Sequence, residues 1–249
     1  MMGSRLAGRI ALVTGASKGI GRAVAKRYAL EGATVIAIAR NKKELISLDD
    51  EITQATGQSA VLVDEDLTKY ATIDQVGETL FKRYGKLDIV VGAAGILGQL
   101  SPVGHIPPEI WDRVFALNLT ANWRLLRSVD PLLRQSDAGR AIFVTCSQSS
   151  MPAAFWGAYG ASKAALDQMI RIYAAEMVET KVKANLIDPG PVRSALRIKA
   201  FPGEDQDTLR SPEDVTNVFV DLADPANNKS GERVTIENLF SEVPSTPLK

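Results

Sequence analysis

The stretch Ile10-Ala11-Leu12-Val13-Thr14-Gly15-Ala16-Ser17-Lys18-Gly19-Ile20-Gly21 decides the fold. An aliphatic run ends in a glycine-rich turn, and the turn opens a helical pattern over residues 20–30. The glycines permit a tight turn, let the backbone approach a pyrophosphate, and let the helix pack closely on the sheet. The helix N-terminus then offers free N–H groups and a positive dipole end to the phosphates. A strand, such a turn and a helix in direct succession form the opening unit of a dinucleotide-binding sheet.

Outward from this unit the alternation continues. Short aliphatic runs at 10–14, 34–39, 60–64, 87–92, 141–146, 183–187 and 233–236 read as seven strands, with helical patterns at 20–30, 42–56, 70–84, 108–135, 158–178 and 212–222 between them. Continuous apolar stretches such as Ile89-Val90-Val91 imply burial on both faces. The expected fold is therefore α/β, a doubly wound seven-stranded parallel sheet of Rossmann type, in a single domain over residues 1–249. Such a sheet binds ligands at the carboxyl ends of its strands. The longest loops there span 93–107, 147–157 and 188–211. The last, with Pro189, Gly190, Pro191, Pro202 and Gly203, is expected to cover the site. The stretch after Asn238, with Pro244 and Pro247, reads as irregular.

At 249 residues and 45% hydrophobic, the chain can bury a large core. Its 29 basic and 29 acidic residues cancel, which leaves no electrostatic footprint for nucleic acid or an anionic membrane and favours small molecules as partners. Cys146 is the single cysteine, so there is no intrachain disulfide and no cysteine cluster for zinc. No metal is expected, and a reducing cytoplasm fits. Residues 1–9 lack the apolar core of a signal peptide, and no run reaches the ~18 apolar residues of a membrane span. His105, the one histidine, lies in a Pro/Gly-rich loop and reads as a surface residue.

Tyr159-Gly160-Ala161-Ser162-Lys163 puts a phenol and an ammonium one helical turn apart on one face. A tyrosine with a pKa of roughly 10 is a poor proton donor or acceptor at neutral pH. A cation beside it is expected to lower that value toward the range of an acid/base catalyst.

Gly15-x-x-x-Gly19-x-Gly21 together with Tyr159-x-x-x-Lys163 resembles the short-chain dehydrogenase/reductase family, from Arg9 to about Val234. The resemblance implies that Gly15, Ser17, Lys18, Gly19, Ile20 and Gly21 hold a dinucleotide. Its identity is argued from charge. The second strand ends Ala39-Arg40-Asn41 with no acid to accept from a ribose 2′-hydroxyl, and the planar fork of Arg40 suits a 2′-phosphate. Lys18 adds a second cation, so the expected cofactor is NADP(H); Lys42 and Lys43 read as a solvated helix turn. By resemblance, Asp66-Leu67 flank the adenine, with Asp64 a nearby competitor. Gly92-Ala93-Ala94-Gly95 replaces the family's Asn-Asn-Ala-Gly, which removes asparagine amides while keeping small residues at the cofactor. Pro189, Gly190, Val192 and Ser194 match the turn that holds the nicotinamide carboxamide, and Tyr159 and Lys163 complete the cofactor set.

The resemblance also implies a catalytic set of Asn118, Ser147, Tyr159 and Lys163. Ser147 follows a strand and can donate to a developing oxyanion. It lies twelve residues before Tyr159, whereas the family's serine commonly lies thirteen before, at the place of Cys146; Ser149 is the other substitute. Asn118 is a poor helix former within a helical segment, and in the family this residue holds a water that links the lysine to solvent. The implied reaction moves a hydride between NADPH and a carbonyl or secondary alcohol, with Tyr159 as acid/base.

Leu97, Leu100, Met151, Phe155, Trp156 and Phe201 either line an apolar substrate cavity or form local core. Arg193, Arg197 and Lys199 either attract a phosphate or carboxylate handle or form a solvated face. The family usually forms homodimers or homotetramers through the helix after Asn118 and the helix bearing Tyr159; Ala164, Ala165, Leu166, Met169 and Ile170 either serve that contact or face the sheet. Two other readings stand beside the reductase: an NAD-dependent alcohol dehydrogenase, and a non-catalytic NADP-binding redox sensor.

Overall fold

Strands form where the aliphatic runs lie, because alternate residues of each run feed two cores at once. The computed structural model describes residues 4–236. Its seven strands are β1 (Ile10–Thr14), β2 (Thr34–Ala39), β3 (Val61–Asp64), β4 (Ile89–Gly92), β5 (Arg140–Val144), β6 (Lys183–Asp188) and β7 (Arg233–Thr235). They make one sheet in the order β3-β2-β1-β4-β5-β6-β7, with every neighbouring pair parallel. This is the expected doubly wound sheet in a single domain.

The helices are α1 (Gly19–Leu30), α2 (Lys42–Thr56), α3 (Tyr70–Tyr84), α4 (Pro108–Phe115), α5 (Ala121–Arg134), α6 (Gly157–Glu176), α7 (Ala195–Ala200) and α8 (Thr216–Ala223). Ala11, Val13, Val35 and Ala37 pack with Val24 and Tyr28 of α1, Leu45 and Leu48 of α2, and Phe219 of α8. On the other face Leu12, Ile36 and Ile38 pack with Ile73 of α3, Leu125 and Val129 of α5, and Leu166 and Ile170 of α6. Leu166 and Ile170 thus face the sheet. Burial of such side chains contributes roughly 1.5–3 kcal/mol each before chain entropy is subtracted.

Several details differ from the sequence expectation: β4 starts at Ile89 rather than Leu87, β5 ends at Val144 rather than Cys146, and α8 starts at Thr216 rather than Pro212. The long helical segment is broken by a wide π turn, Ala116–Thr120, between α4 and α5, and Asn118 sits in that turn. The covering stretch carries a helix of its own, α7, whose first turn is capped by Ser194: its Oγ accepts from Arg197 N at 3.1 Å.

The order of the strands fixes where a ligand goes. β1 lies between β2 and β4, so the chain winds outward in both directions from the β1/β4 pair, where Thr14 is level with Gly92. The crevice above that switch point is the binding position of a doubly wound sheet.

Candidate active site

A cavity of about 380 Å³ opens at this crevice, within the size range of small-molecule sites. Gly15, Ser17, Lys18, Gly19, Ile20 and Gly21 line one end. Gly15 has φ 68°, and a Cβ there would come within 2.9 Å of Ala94 Cα. A Cβ on Gly21 would meet Gly15 O at 2.5 Å, so α1 packs against the turn only because both positions are glycine. Lys18, the N-cap of α1, makes no side-chain cap bond, which leaves the first turn, whose Gly19, Ile20 and Gly21 line the cavity, open to an anion. This cradle fits a pyrophosphate.

Ala39, Arg40, Asp66 and Leu67 line the same end, whereas Asp64 does not and approaches Lys42 at 3.9 Å. Arg40 is exposed and stands 3.7 Å from Asp66, a loose contact that leaves its guanidinium open to a phosphate. Ala93, Ala94 and Gly95 form the floor. Thr14 supports them: its Oγ1 accepts from Ala93 N and Ala94 N at 3.2 and 3.3 Å and donates to Val91 O. A Cβ on Gly92 would fall 2.2 Å from the Phe143 ring, so packing excludes an asparagine side chain at that position. Pro189, Gly190, Val192 and Ser194 line the far wall, where Gly190 N donates to Asp188 Oδ1 at 3.0 Å.

Tyr159 and Lys163 rise from α6 into the middle of the cavity. Tyr159 is only 7% exposed. Burial first, then the neighbouring Cys146 and Asp188, hold its phenol well above the ordinary tyrosine range. The depression expected from Lys163 does not appear: every cause acting on this phenol raises its pKa, and burial is the largest. Lys163 Nζ stands 5.9 Å from the Tyr159 ring centre, and burial lowers its own pKa. Its ammonium donates to Val144 O at 2.8 Å. Asn118 is fully buried; its Oδ1 accepts from Ile96 N at 2.9 Å, and its Nδ2 donates to Ile96 O and Ser162 Oγ. The amide therefore fixes the loop after β4 and the face of α6 that carries Tyr159.

The residues after β5 divide differently from the sequence expectation. Thr145, Cys146 and Gln148 line the cavity, and Ser147 is not among its lining residues. Cys146 lies beside the Tyr159 hydroxyl, and burial pushes its thiol up while Lys163 pulls it down. Ser149 turns away, donating to Asp167 Oδ2 at 2.6 Å. One guanidinium fixes this corner: Arg233 Nη2 donates to Cys146 O at 2.8 Å and to Asp188 Oδ2 at 2.7 Å.

A family model described as short chain dehydrogenase matches residues 9–205. The chain is a member of the short-chain dehydrogenase family. It is 37% identical over 226 residues to the uncharacterized oxidoreductase YciK of Escherichia coli K12, covering 90% of this chain and 89% of that protein. A short-chain dehydrogenase from Shigella flexneri 2a complexed with NADP superposes with TM-score 0.90 at 36% identity, over 93% of this chain and 98% of the other. One from Escherichia coli CFT073 complexed with NADPH gives the same score, identity and coverage. This short-chain dehydrogenase is thus an oxidoreductase by family, and two of its structural neighbours are complexed with NADP or NADPH.

In this dehydrogenase the apolar candidates separate. Trp156 and Phe201 line the cavity, Leu97 and Leu100 pack behind it, and Met151 and Phe155 are exposed at 63% and 56%. Sequence reading missed Leu196 and Ala200 of α7, which also line it. A signal was present, since Ser194 precedes six good helix formers as an N-cap does. No helix among the described residues is long and apolar enough to cross a membrane, and no cluster of three metal-ligating side chains occurs there.

Proposed function

We propose that the chain is an NADPH-dependent reductase of carbonyl compounds in which Tyr159 is the general acid. One observation carries this reading: a buried phenol, held protonated by desolvation, stands in the same cavity as the dinucleotide cradle. NADPH, when bound, supplies the hydride. Tyr159 gives its proton to the carbonyl oxygen, and a raised pKa keeps that proton in place at neutral pH. Lys163, beside the phenol, stabilises the phenolate that remains. Cys146, rather than Ser147, faces the reacting oxygen as the second donor. Asn118 is a positioning residue for both walls.

Lys18 and Arg40 at one end of the cavity, with no acid at the end of β2, support NADP(H) over NAD(H). The NADP-bound and NADPH-bound neighbours agree with this preference. The segment 188–211, with α7, acts as the cover. Exposed Trp123 on α5 and Ile172 on α6 support self-association through those helices.

Tyr159→Phe is expected to bind NADPH as the wild type does, read by fluorescence titration, and to lose about 10²- to 10⁴-fold in turnover. Retained turnover would falsify the acid assignment. Arg40→Ser is expected to weaken NADPH binding about tenfold or more while leaving NADH nearly unchanged.

A further inference from the structure

Beside Tyr159 the cavity changes character. The α7 end is walled by Trp156, Leu196, Ala200 and Phe201, backed by Leu97 and Leu100. The Trp156 ring centre stands 5.8 Å from that of Tyr159 and 5.7 Å from that of Phe201. Both lie within the spacing of about 4.5–7 Å at which aromatic rings attract, and they leave flat apolar faces beside the proton donor. Gln148 and the Cys146 thiol also line the cavity, and neither carries charge at neutral pH.

The cations of the lining, among the described residues, are Lys18, Arg40, Lys163 and Arg197. Lys18 and Arg40 belong to the cradle end, and Lys163 lies with Tyr159. Arg197 is the one at the aromatic end, and it is already paired. Its Nε donates to Glu204 Oε2 at 2.6 Å, its Nη2 donates to Glu204 Oε1, and its guanidinium sits 3.8 Å above the Phe201 ring centre. Such a bidentate fork leaves little for another anion. Arg193 and Lys199 are outside the lining: Arg193 meets Asp207 at 3.5 Å, and Lys199 Nζ donates to Gly98 O at 2.8 Å. An anionic handle entering here would lose water without gaining an unpaired cation, which is unfavourable.

We infer that the substrate is an uncharged carbonyl compound with the carbonyl on or next to a flat ring, and that anionic substrates, including coenzyme A thioesters, are disfavoured by the Arg197–Glu204 pair. The inference rests on the reductase reading for the direction of the chemistry, but its binding preference is measurable without turnover.

The test is calorimetry on the full chain loaded with NADP⁺, using acetophenone, its para-carboxylate and acetoacetyl-coenzyme A. Acetophenone is expected to bind at least about tenfold more tightly than either anion. Equal or tighter binding of an anion, or no binding of acetophenone, overturns the inference. Glu204→Gln removes the anion that occupies Arg197, and is expected to improve para-carboxylate binding about tenfold while acetophenone changes little. A folded variant with an unchanged preference overturns the role given to Arg197. NADPH consumption with acetophenone is followed in parallel. Tight, selective binding without consumption supports this pocket assignment and sinks the reductase reading instead.

Discussion

Cys146 stands where a hydroxyl would be the stronger donor. A thiol hydrogen-bonds weakly, so in the proposed reaction it stabilises charge on the carbonyl oxygen less than serine would. Cys146→Ser is therefore expected to raise kcat about tenfold, and Cys146→Ala to lower it, in the NADPH-consumption assay. Ser147→Ala in the same assay is expected to stay within about twofold of wild type, since its side chain lies outside the cavity lining. A large loss in Ser147→Ala with no change in Cys146→Ser would reverse the assignment. At this scale the Tyr159/Lys163 pair was legible because helical spacing is local. The choice between residues 146 and 147 was not, because it depends on where the chain leaves β5. Distant bonds set that point, namely Thr145 N to Ile187 O at 2.8 Å and Arg233 to Cys146 O, and in the sequence only the thirteen-residue spacing before Tyr159 pointed to Cys146.

Elements meet tightly where β4 passes β5. Gly92 is level with Phe143, whose fully buried ring fills the space a side chain at 92 would need. Gly92→Ala is expected to lower stability by about 1–3 kcal/mol in denaturant unfolding, and Phe143→Leu added to it should recover part of the loss. Additive losses in the double variant would refute that contact as the cause. The strands were readable because each is a short apolar run with turn residues beside it, and α2 and α3 matched their patterns from end to end. The π turn at Ala116–Thr120 was not readable, since its extra residue is stabilised by Asn118 bonding to Ile96, far along the chain. Helix α7 was hidden by its surroundings: prolines and glycines on both sides mask a six-residue helix.

Across the whole molecule, three buried phenols tie stability to alkaline pH. Tyr28, Tyr159 and Tyr173 are all held above the ordinary tyrosine range, each chiefly by burial; Tyr28 donates to Phe219 O and Tyr173 to Asp130 Oδ1. A raised native pKa means that their stabilisation is complete below the unfolded value of about 10 and is lost as pH rises above it. There the unfolded chain releases protons that the native state keeps, at ~1.4 kcal/mol per pH unit for each phenol. Denaturant midpoints are expected to be insensitive to these groups between about pH 8 and 9 and to fall steeply beyond about 10. A midpoint that holds steady to about pH 11 would exclude this coupling. The parallel sheet itself followed from the alternation of apolar runs and helices. The pairings of α7, such as Lys199 with Gly98 O and Arg197 with Glu204, were not legible, because they join groups whose meeting no local pattern specifies.

The Arg233 clamp has a consequence for synthesis. Synthesis runs from N- to C-terminus, so the glycine turn, β1 and β2 emerge from the ribosome before β6 and β7. The guanidinium that holds both the Cys146 carbonyl and Asp188 arrives with β7, the last strand described. The glycine turn is therefore made well before the strand that supplies Arg233, and a chain cut short of β7 keeps that turn while losing the bonds that hold the Cys146 carbonyl and Asp188 together.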